Sequence, residues 1–428
     1  MFVVNNEIKG TEMYYKLLLI TTKDIFLDNS SSSYTIRSFL QFWPKDKIRQ
    51  IVCSGFNEER RGVINENTYF LNSDDVCFAS FFIKNQRSHV SSLGMTSNNS
   101  IYSVKSVKGL VMAYFKTFYA TLPYRKSTDL KDFIADFKPD VLYSAFMDYR
   151  SLDMTLYMAN KFKIPVLPHI MDDWLNTYFK QSTILKLFRK VFNKRIGLLF
   201  RKSPVVLCIS DKMCCQYEER YNIKKTISLM HSVPQNKRKK VGTSCVKTLI
   251  YSGSLYLGRD QVIKVVGEIL EEYNCQLKLF VPLNQWNELQ EQFSLLSSVI
   301  YGGFVGQEEL FQEICSSDGV ILAESFDENM LVYTELSMST KVPEYLSSGV
   351  PILAIGHKCQ GSIEYLDKNH AAYVVDNIDN LKETIDELLS GNRNESIIQN
   401  AQMLFMKNHC QDKQCEKFYD AIKYSIER

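Results

Sequence analysis

Short runs of apolar and β-branched residues alternate with longer helical patterns along most of this 428-residue chain. This alternation is typical of parallel α/β sheets, in which helices connect strands that are buried on both faces. The first half of the chain contains the runs YYKLLLIT, QIVCSGF, VCFASFF, DVLYSAF, IPVLPHI and PVVLCIS. A second series follows, with KTLIYSG, QLKLFVP, VIYGGF, GVILAES, PILAIG and AAYVV. The sequence therefore predicts an α/β protein with two parallel sheets.

A polar and basic stretch, PQNKRKKVGTS at 234–244, separates the two series and has no apolar periodicity. Such a stretch is typical of a linker, and the length of the chain favours two or three domains. We therefore predict two Rossmann-like domains that face each other across a cleft, at 1–233 and 245–406. Ligands of parallel sheets bind at the carboxyl ends of the strands, so we expect the loops after the strands to hold the chemistry.

Composition excludes several classes of protein. The formal net charge of +3 is too even for a dedicated nucleic-acid-binding protein, so no nucleic acid is expected as a partner. No apolar run approaches the ~18 residues of a membrane-spanning helix, and the N-terminus lacks the features of a secretory signal. The eleven cysteines are scattered without a CxxC pair, and the metal-like group of His409, Cys410 and Cys415 lacks a second ligand pair. We predict a cytoplasmic protein that uses no metal.

Polar side chains follow two strands of the first series. Ser31 and Ser32 belong to a run of serines before a helical pattern, where backbone N–H groups suit an anion or a polyol. An ordinary capped loop is the alternative for this run. His169 ends the strand IPVLPHI, and the following Asp172 and Trp174 suit a polar substrate with a stacked sugar ring. A buried histidine beside a helix N-cap is the alternative for this set.

In the second series, Gly253, Gly258, Arg259 and Lys264 lie between a strand and a helical pattern. The spacing of the two glycines mimics a Walker motif, but Arg259 stands where the motif requires lysine and then serine or threonine. No GxGxxG follows any strand, which argues against a nicotinamide or flavin dehydrogenase. A turn eased by glycine beside two cations suits a diphosphate. Lys264 is equally well explained as a solvated helix lysine.

A second candidate phosphate site lies further along the chain. Ser339, Thr340 and Lys341 precede a short helical pattern that carries Pro343 in its first turn. Free N–H groups at that turn and the ammonium group of Lys341 suit phosphate oxygens. Glu344 lies one turn inside the helix, where its carboxylate is positioned to accept hydrogen bonds from ribose hydroxyls.

These segments together resemble a known family. KVPEYLSSGVPILAIG, preceded by SSDGVIL and by IYSGSL with its following RD, resembles the nucleotide-sugar-dependent glycosyltransferases of the GT-B fold, and in particular the retaining family 4. KPDVLYSAF, IPVLPHIMDDW and VVLCISDKMCCQYEERYNI are similar to segments of the first domain of that family. The resemblance implies an acceptor-binding first domain, a donor-binding second domain, and a C-terminal helix at about 407–428 that returns to the first domain. It also implies transfer without a metal cofactor, to a glycan or lipid-linked acceptor.

The resemblance further implies roles for single residues. Arg259 and Lys341 would act on the donor diphosphate, together with Gly253, Lys264, Ser339 and Thr340. Glu344 would bind the donor ribose, while His169, Ser31 and Ser32 would lie near the transferred sugar and the acceptor. Asp172 stays a candidate substrate-binding residue from its position after the strand. The family places a second glutamate eight positions before the ribose-binding one, but Leu336 stands there in this chain. Glu335 or Glu328 is the candidate replacement.

The resemblance leaves two other functions open. A nucleotide-sugar epimerase on the same fold would need acid and base carboxylates in the cleft and no acceptor. A non-catalytic scaffold is favoured by the leucine in place of the first glutamate.

The segment 180–202 combines many basic residues with an apolar stripe. No acidic residue occurs between Asp173 and Asp211, and the apolar residues recur near helical spacing at Ile184, Phe188, Phe192, Ile196 and Leu199. We predict that this segment docks on an anionic membrane surface at the inner face of the membrane. The alternative is a helix that packs on its own domain and leaves its lysines in water.

Overall fold

The computed structural model describes residues 14–28, 30–53, 67–71, 75, 127–177, 186–235 and 246–428. Within them, the first sheet consists of β1 (Leu17–Thr21), β2 (Ile48–Val52), β3 (Thr68–Phe70), β4 (Val141–Ser144), β5 (Val166–Ile170), β6 (Val206–Cys208) and β7 (Thr226–Ser228). Its strands are parallel, in the order β3-β2-β1-β4-β5-β6-β7. The predicted strand VCFASFF lies outside the described residues.

Helices connect the strands of the first sheet, and several begin at a capping side chain. They are α1 (Ser31–Leu40), α2 (Thr128–Phe137), α3 (Tyr149–Phe162), α4 (Trp174–Thr177), α5 (Lys186–Lys202) and α6 (Asp211–Tyr221). Asp148 caps α3 by accepting a hydrogen bond from the Ser151 N–H, and Ser210 caps α6 by accepting one from the Met213 N–H. Each cap satisfies a backbone donor that the first helical turn leaves unpaired.

The second sheet contains β8 (Thr248–Ser252), β9 (Gln276–Phe280), β10 (Val299–Tyr301), β11 (Gly319–Ala323), β12 (Ile352–Ile355) and β13 (Tyr373–Val375). Its strands are also parallel, in the order β10-β9-β8-β11-β12-β13. Every residue of β11 and β12 is buried, because helices cover both faces of the sheet. The helices are α7 (Arg259–Glu272), α8 (Leu283–Leu289), α9 (Gln307–Ser316), α10 (Glu328–Thr334), α11 (Val342–Ser348), α12 (Gly361–Lys368) and α13 (Leu381–Ser390). The predicted fold class, two parallel α/β sheets, is confirmed.

The last two helices, α14 (Asn394–Asn408) and α15 (Gln411–Ile426), carry the chain back to the first sheet. Phe418, Ala421 and Ile422 of α15 are fully buried in one cluster with β1, β4 and the helix α1. The returning helix that the family resemblance implied is therefore present, and it completes one face of the first sheet.

The chain crosses between the two domains twice, first after residue 233 and again near residue 409, and the two crossings lie side by side. Val233 forms an isolated parallel bridge with Cys410, and the His409 ring nitrogen Nδ1 lies 2.9 Å from the carbonyl oxygen of His231. His409 is fully buried, and its other ring nitrogen lies 3.0 Å from the Tyr365 hydroxyl. The two crossings therefore hold each other in place. Most of the predicted linker, from 236 onward, lies outside the described residues.

The helix α5 shows how the basic segment packs. Phe192, Ile196 and Leu199 of the apolar stripe are buried in the core, which matches the alternative of a helix that packs on its own domain. The ring of Phe192 packs 5.1 Å from that of Trp174. Ile184, which belongs to 178–185, lies outside the described residues. The side chain of Phe188 is also not described. Among the described helices, none is both long enough and apolar enough to cross a lipid bilayer.

Candidate active site

The carboxyl edge of the second sheet brings together residues that are far apart in the sequence. β8 and β11 are neighbouring parallel strands, and Gly253 and Glu324 are the first residues after them. The helix α7 begins at Arg259, and α11 begins directly after Lys341. Since parallel strands end at one edge, their loops meet there.

Lys341 reaches across the backbone of Gly253. Gly253 has a φ of +121°, a conformation that residues with a side chain rarely adopt. A Cβ atom built on it would overlap both Cε and Nζ of Lys341. Glycine is therefore required here for two reasons, its backbone conformation and the space that the lysine side chain fills.

Arg259 is held by a carboxylate that the sequence did not single out. Its Nε and Nη2 donate to Oε2 of Glu324 at 2.9 and 2.7 Å, and the two side chains are only 16% and 7% exposed. The pair fixes the guanidinium in one orientation and leaves its Nη1 edge for another ligand. An acidic residue directly after the buried strand GVILA was the available signal for Glu324.

The neighbouring ionisable groups have shifted pKa values. Burial, followed by the positive charge of Arg259, lowers the pKa of Lys341 to about 8. Burial raises the pKa of Glu344 to about 7, and the charge of Lys341 opposes this rise. Shifted pKa values in a cluster such as Arg259, Lys341 and Glu344 are typical of a site that binds a charged ligand.

Glu344 should reduce the stability of the fold when it is ionised. Its pKa is about 7 in the folded protein and near the ordinary value of 4.5 in the unfolded chain. The unfolded state therefore loses its proton first as the pH rises, and the folded state loses relative stability between pH 4.5 and 7. Glu344→Gln removes this effect, so its free energy of unfolding should exceed that of the parent by about 1–3 kcal/mol above pH 7. Denaturant melts at pH 5 and pH 8 test the difference.

Four serine or threonine residues and two tyrosines lie around this cluster. The Ser339 N–H donates to the Ser362 hydroxyl at 2.8 Å, so this backbone donor is already used. The hydroxyls of Ser252 and Tyr345 lie 3.0 Å apart and tie the end of β8 to α11. The Lys341 ammonium lies 5.8 Å from the centre of the Tyr251 ring. Thr340 lies in the turn between Ser339 and Lys341 and is half-buried.

The first domain contacts the second close to this edge. Asp172, which follows β5, accepts a hydrogen bond from the Ser337 hydroxyl at 3.1 Å. Burial raises the pKa of Asp172 to about 6, and the hydrogen bond from Ser337 opposes the rise. The Ser210 hydroxyl donates to the carbonyl oxygen of Leu336 at 3.2 Å. The loop between α10 and α11 therefore joins the two domains.

Comparison with known proteins identifies the architecture. Residues 262–407 match the family model described as the glucosyltransferase 3-like, C-terminal domain. The structure resembles a glycosyltransferase from Rickettsia africae, with a TM-score of 0.57 and 14% identity over 96% of this chain and 98% of that one. This is a GT-B glycosyltransferase fold.

Two further GT-B structures are similar over almost their whole length. Anabaena HepE in complex with UDP and glucose has a TM-score of 0.60 and 12% identity, over 96% of this chain and 100% of that one. Sucrose-phosphate synthase from Thermosynechococcus elongatus has a TM-score of 0.62 and 10% identity, over 95% of this chain and 98% of that one. No curated protein sequence matches the chain.

The resemblance to family 4 implied a glutamate at position 336, eight residues before Glu344. This chain has a leucine there, and the structure buries it. Leu336 is 2% exposed and packs among buried residues, so in this chain the residue contributes to the core. Glu335 lies half-buried at the end of α10, and Glu328 is exposed in its first turn. Neither has a described contact with Arg259 or Lys341, whereas Glu324 is bonded to Arg259. The structure therefore brings a different glutamate into the cluster.

Lys264 lies apart from the cluster. It is in the second turn of α7, its ammonium is 3.2 Å from a carboxylate oxygen of Glu268 one turn further on, and its side chain is 40% exposed. This is the arrangement of a solvated helix lysine. A contact between Lys264 and a donor stays a prediction.

His169 lies in the core of the first domain. It is 1% exposed, and its Nδ1 is 2.8 Å from the Tyr143 hydroxyl, with the Phe39 ring at 5.9 Å. Burial lowers the pKa of His169 to about 3, so the imidazole is neutral at physiological pH. In this conformation it does not reach the cleft, so the arrangement matches the buried-histidine alternative. Trp174 likewise packs its ring against Phe146, at 5.5 Å, rather than presenting it to a sugar.

The serine loop is organised around Asp28. The Asp28 carboxylate accepts hydrogen bonds from the hydroxyls of Ser30 and Ser33. Burial alone would raise the pKa of Asp28, but these hydrogen bonds together bring it below its ordinary value. Ser32 lies 3.1 Å from the Ser30 hydroxyl, and Ser31 is exposed. The Asp28 carboxylate at this helix start disfavours an anion there, because like charges repel. A polyol remains compatible with the loop, since the serine hydroxyls can donate and accept hydrogen bonds.

Among the residues that the structure describes, no three His, Cys, Asp or Glu side chains are grouped so as to hold a metal ion.

Proposed function

We propose that this GT-B protein transfers a sugar from a nucleoside diphosphate sugar to a hydroxyl group of a glycan or lipid-linked acceptor. We further propose that the anomeric configuration is retained and that the product is a surface polysaccharide or glycolipid. The observation that carries the donor assignment is the position of Lys341 across Gly253, beside the fixed guanidinium of Arg259. UDP, the nucleotide in the HepE complex, is the first one to test.

The cluster would act on the leaving group. As the bond between the anomeric carbon and the diphosphate breaks, the electron pair and its negative charge move onto the phosphate oxygens. Lys341 and the Nη1 edge of Arg259 would meet this growing charge with groups already oriented by Gly253 and Glu324. Glu344 would accept hydrogen bonds from the ribose hydroxyls and so fix the nucleoside end of the donor.

The test is a thermal-shift series with nucleoside diphosphates and their sugars, followed by a transfer assay with a panel of glycan acceptors. A bound donor stabilises the fold by mass action. Transfer that persists in a chelator supports the metal-free site we propose, and strict dependence on a divalent cation would contradict it. Epimer formation from donor alone would favour an epimerase, and donor binding without any turnover would favour a scaffold.

Glu344→Ala is expected to weaken donor binding at least tenfold with the fold intact. The carboxylate would accept two hydrogen bonds from the ribose, and such charge-assisted bonds are worth about 1.5–3 kcal/mol each. Calorimetry with UDP, at a pH near 8 where Glu344 is ionised, measures the loss. A deoxyribose diphosphate should lose less affinity than UDP in the variant, since part of the contact is already missing. Unchanged affinity for UDP would refute the donor assignment.

The shifted pKa values predict how UDP affinity depends on pH. Below about pH 7 Glu344 gains a proton and stops accepting hydrogen bonds from ribose, and above about pH 8 Lys341 loses the charge that attracts the diphosphate. We therefore expect the affinity to be highest between these values and to fall on either side. Titration calorimetry from about pH 5.5 to about pH 9.5 measures this profile across both pKa values.

Two variants separate the protein groups from the titration of UDP itself. Glu344→Gln should reduce the acid-side dependence to the part that the UDP phosphate itself causes, and Lys341→Arg should move the alkaline fall to higher pH, since arginine keeps its charge. Unchanged profiles in both variants would show that other groups control binding.

We also propose contact with an anionic membrane, now through the outer face of α5 rather than its apolar stripe. Val191 and Leu198 are 50% and 39% exposed on that face, and Lys190, Lys194 and Arg201 lie exposed around them. Each basic residue near such a surface contributes about 1 kcal/mol. Other basic residues are occupied: Arg195 donates to Asp153 at 2.7 Å.

Vesicle co-sedimentation tests this contact. We expect binding that rises with the fraction of anionic lipid and falls with salt, and that is lost in the variant Lys190→Glu/Lys194→Glu. The variant Lys358→Glu/Lys382→Glu changes the net charge equally on the second domain and should still bind. Equal recovery in the supernatant with neutral and anionic vesicles at low salt would exclude the contact.

A further inference from the structure

A cleft of about 530 Å³ opens on the first domain, away from the candidate active site. Among the residues that the structure describes, its lining combines tyrosines and lysines with one carboxylate: Tyr14, Tyr15, Lys16, Lys47, Lys138, Asp140, Tyr419 and Lys423. The volume lies within the range of small-molecule sites in proteins. Nothing in the proposed donor chemistry uses these residues.

The cleft lies at the amino edge of the first sheet. Lys16 and Asp140 directly precede β1 and β4, and Lys47 directly precedes β2. The loops that face the interdomain cleft follow the opposite, carboxyl ends of the same strands. Because β1 has five residues that rise about 3.3 Å each, the two edges are separated by roughly 16 Å or more.

The tyrosines form one aromatic wall. Tyr14 and Tyr15 lie 6.4 and 6.1 Å from the Tyr419 ring, and the buried Trp43 supports Tyr14 from behind at 5.2 Å. All three tyrosines are half-buried, so part of each residue remains accessible. A wall of this kind offers flat apolar faces together with hydroxyl groups, which matches the alternating C–H and O–H surfaces of a sugar ring.

The lysines give the cleft an excess of positive charge. Lys16 donates its ammonium to the carbonyl oxygen of Phe137 at 3.0 Å, and its backbone N–H donates to Asp140 at 2.6 Å. Within the described part of the chain, Lys47, Lys138 and Lys423 form no ion pair. Among the described lining residues, four ammonium groups stand against one carboxylate, which favours an anion over a neutral or cationic ligand.

We propose that this cleft is a binding site for an anionic saccharide. The tyrosine wall contacts a sugar ring, and Lys47, Lys138 and Lys423 bind the carboxylate or phosphate groups that the saccharide carries. The site is separate from the donor site, and the proposal goes beyond the transferase function without depending on it. It assigns the amino edge of the first sheet as a remote carbohydrate-binding surface.

The test measures binding to the full chain by titration calorimetry in low salt. The probes are a galacturonic acid tetramer, maltotetraose as its neutral counterpart, and inorganic phosphate as the charge alone. We expect the acidic tetramer to bind at least tenfold more tightly than either of the others. Equal binding of phosphate, equal binding of maltotetraose, or no binding of the acidic tetramer would overturn the proposal.

Matched variants locate the site. The triple variant Lys47→Ala/Lys138→Ala/Lys423→Ala should weaken binding of the acidic tetramer at least tenfold. The control Lys358→Ala/Lys368→Ala/Lys382→Ala removes the same charge from exposed ion pairs on the second domain and should retain the affinity. Equal losses in both variants would mean non-specific attraction and would overturn the site.

A further variant tests the aromatic wall, and UDP serves as the reference ligand. Tyr419→Leu keeps an apolar side chain but removes the ring, so it should weaken the acidic tetramer and leave phosphate binding unchanged. An unchanged affinity for the tetramer would overturn the role of the tyrosine wall. UDP affinity should be the same in all these variants, which keeps a failure of this site distinguishable from a failure of the donor site.

Discussion

Lys341→Ala is expected to lower the rate of sugar transfer about 100- to 1,000-fold, while the affinity for the intact nucleoside diphosphate sugar falls much less. The reason is that the charge it meets grows as the bond to the diphosphate breaks, so its interaction is stronger in the transition state than in the bound donor. Steady-state kinetics with saturating donor, together with calorimetry for the intact donor in the absence of acceptor, measure the two effects separately. Lys382→Ala is the matched control, because Lys382 is exposed and pairs with Glu272 instead of a residue of the cluster.

Arg259, the second cation of the cluster, needs a different variant. Removing one member of a buried ion pair leaves the other charge unpaired, at a cost of about 3–5 kcal/mol in the free energy of unfolding. Arg259→Ala alone would therefore confuse lost catalysis with lost stability. The double variant Arg259→Ala/Glu324→Gln removes both charges and should show the same loss of about 100- to 1,000-fold in a folded protein. Near-normal turnover in this variant and in Lys341→Ala would place the diphosphate elsewhere.

The sequence predicts the sheets better than it predicts the site. Long, continuously apolar runs such as those of β11 and β12 are recognisable because helices cover both faces. β6, β10 and β13 are only three residues long, but the longer apolar runs around them reveal them. β3 (TYF) and β7 (TIS) are equally short and contain a threonine or serine, so the sequence does not reveal them.

Sequence alone does not show in which direction a side chain points. In β5 every residue is buried, so no alternation reveals that His169 faces the core. Glu324 escapes sequence analysis because one acidic residue after a strand resembles an ordinary polar loop until its partner Arg259 is seen. Gly253 and Lys341, in contrast, are both selected by the sequence, as a turn glycine and a cation, and the structure places them in contact.

The return of α15 to the first sheet affects how the protein is made. The core around β1 and β4 is incomplete until Phe418, Ala421 and Ile422 have been synthesised, although the strands of that sheet end at Ser228. At ordinary translation rates the intervening chain takes on the order of 10–40 s to emerge. During that interval the first domain exposes an apolar face on the ribosome, so its folding is coupled to the completion of the second domain.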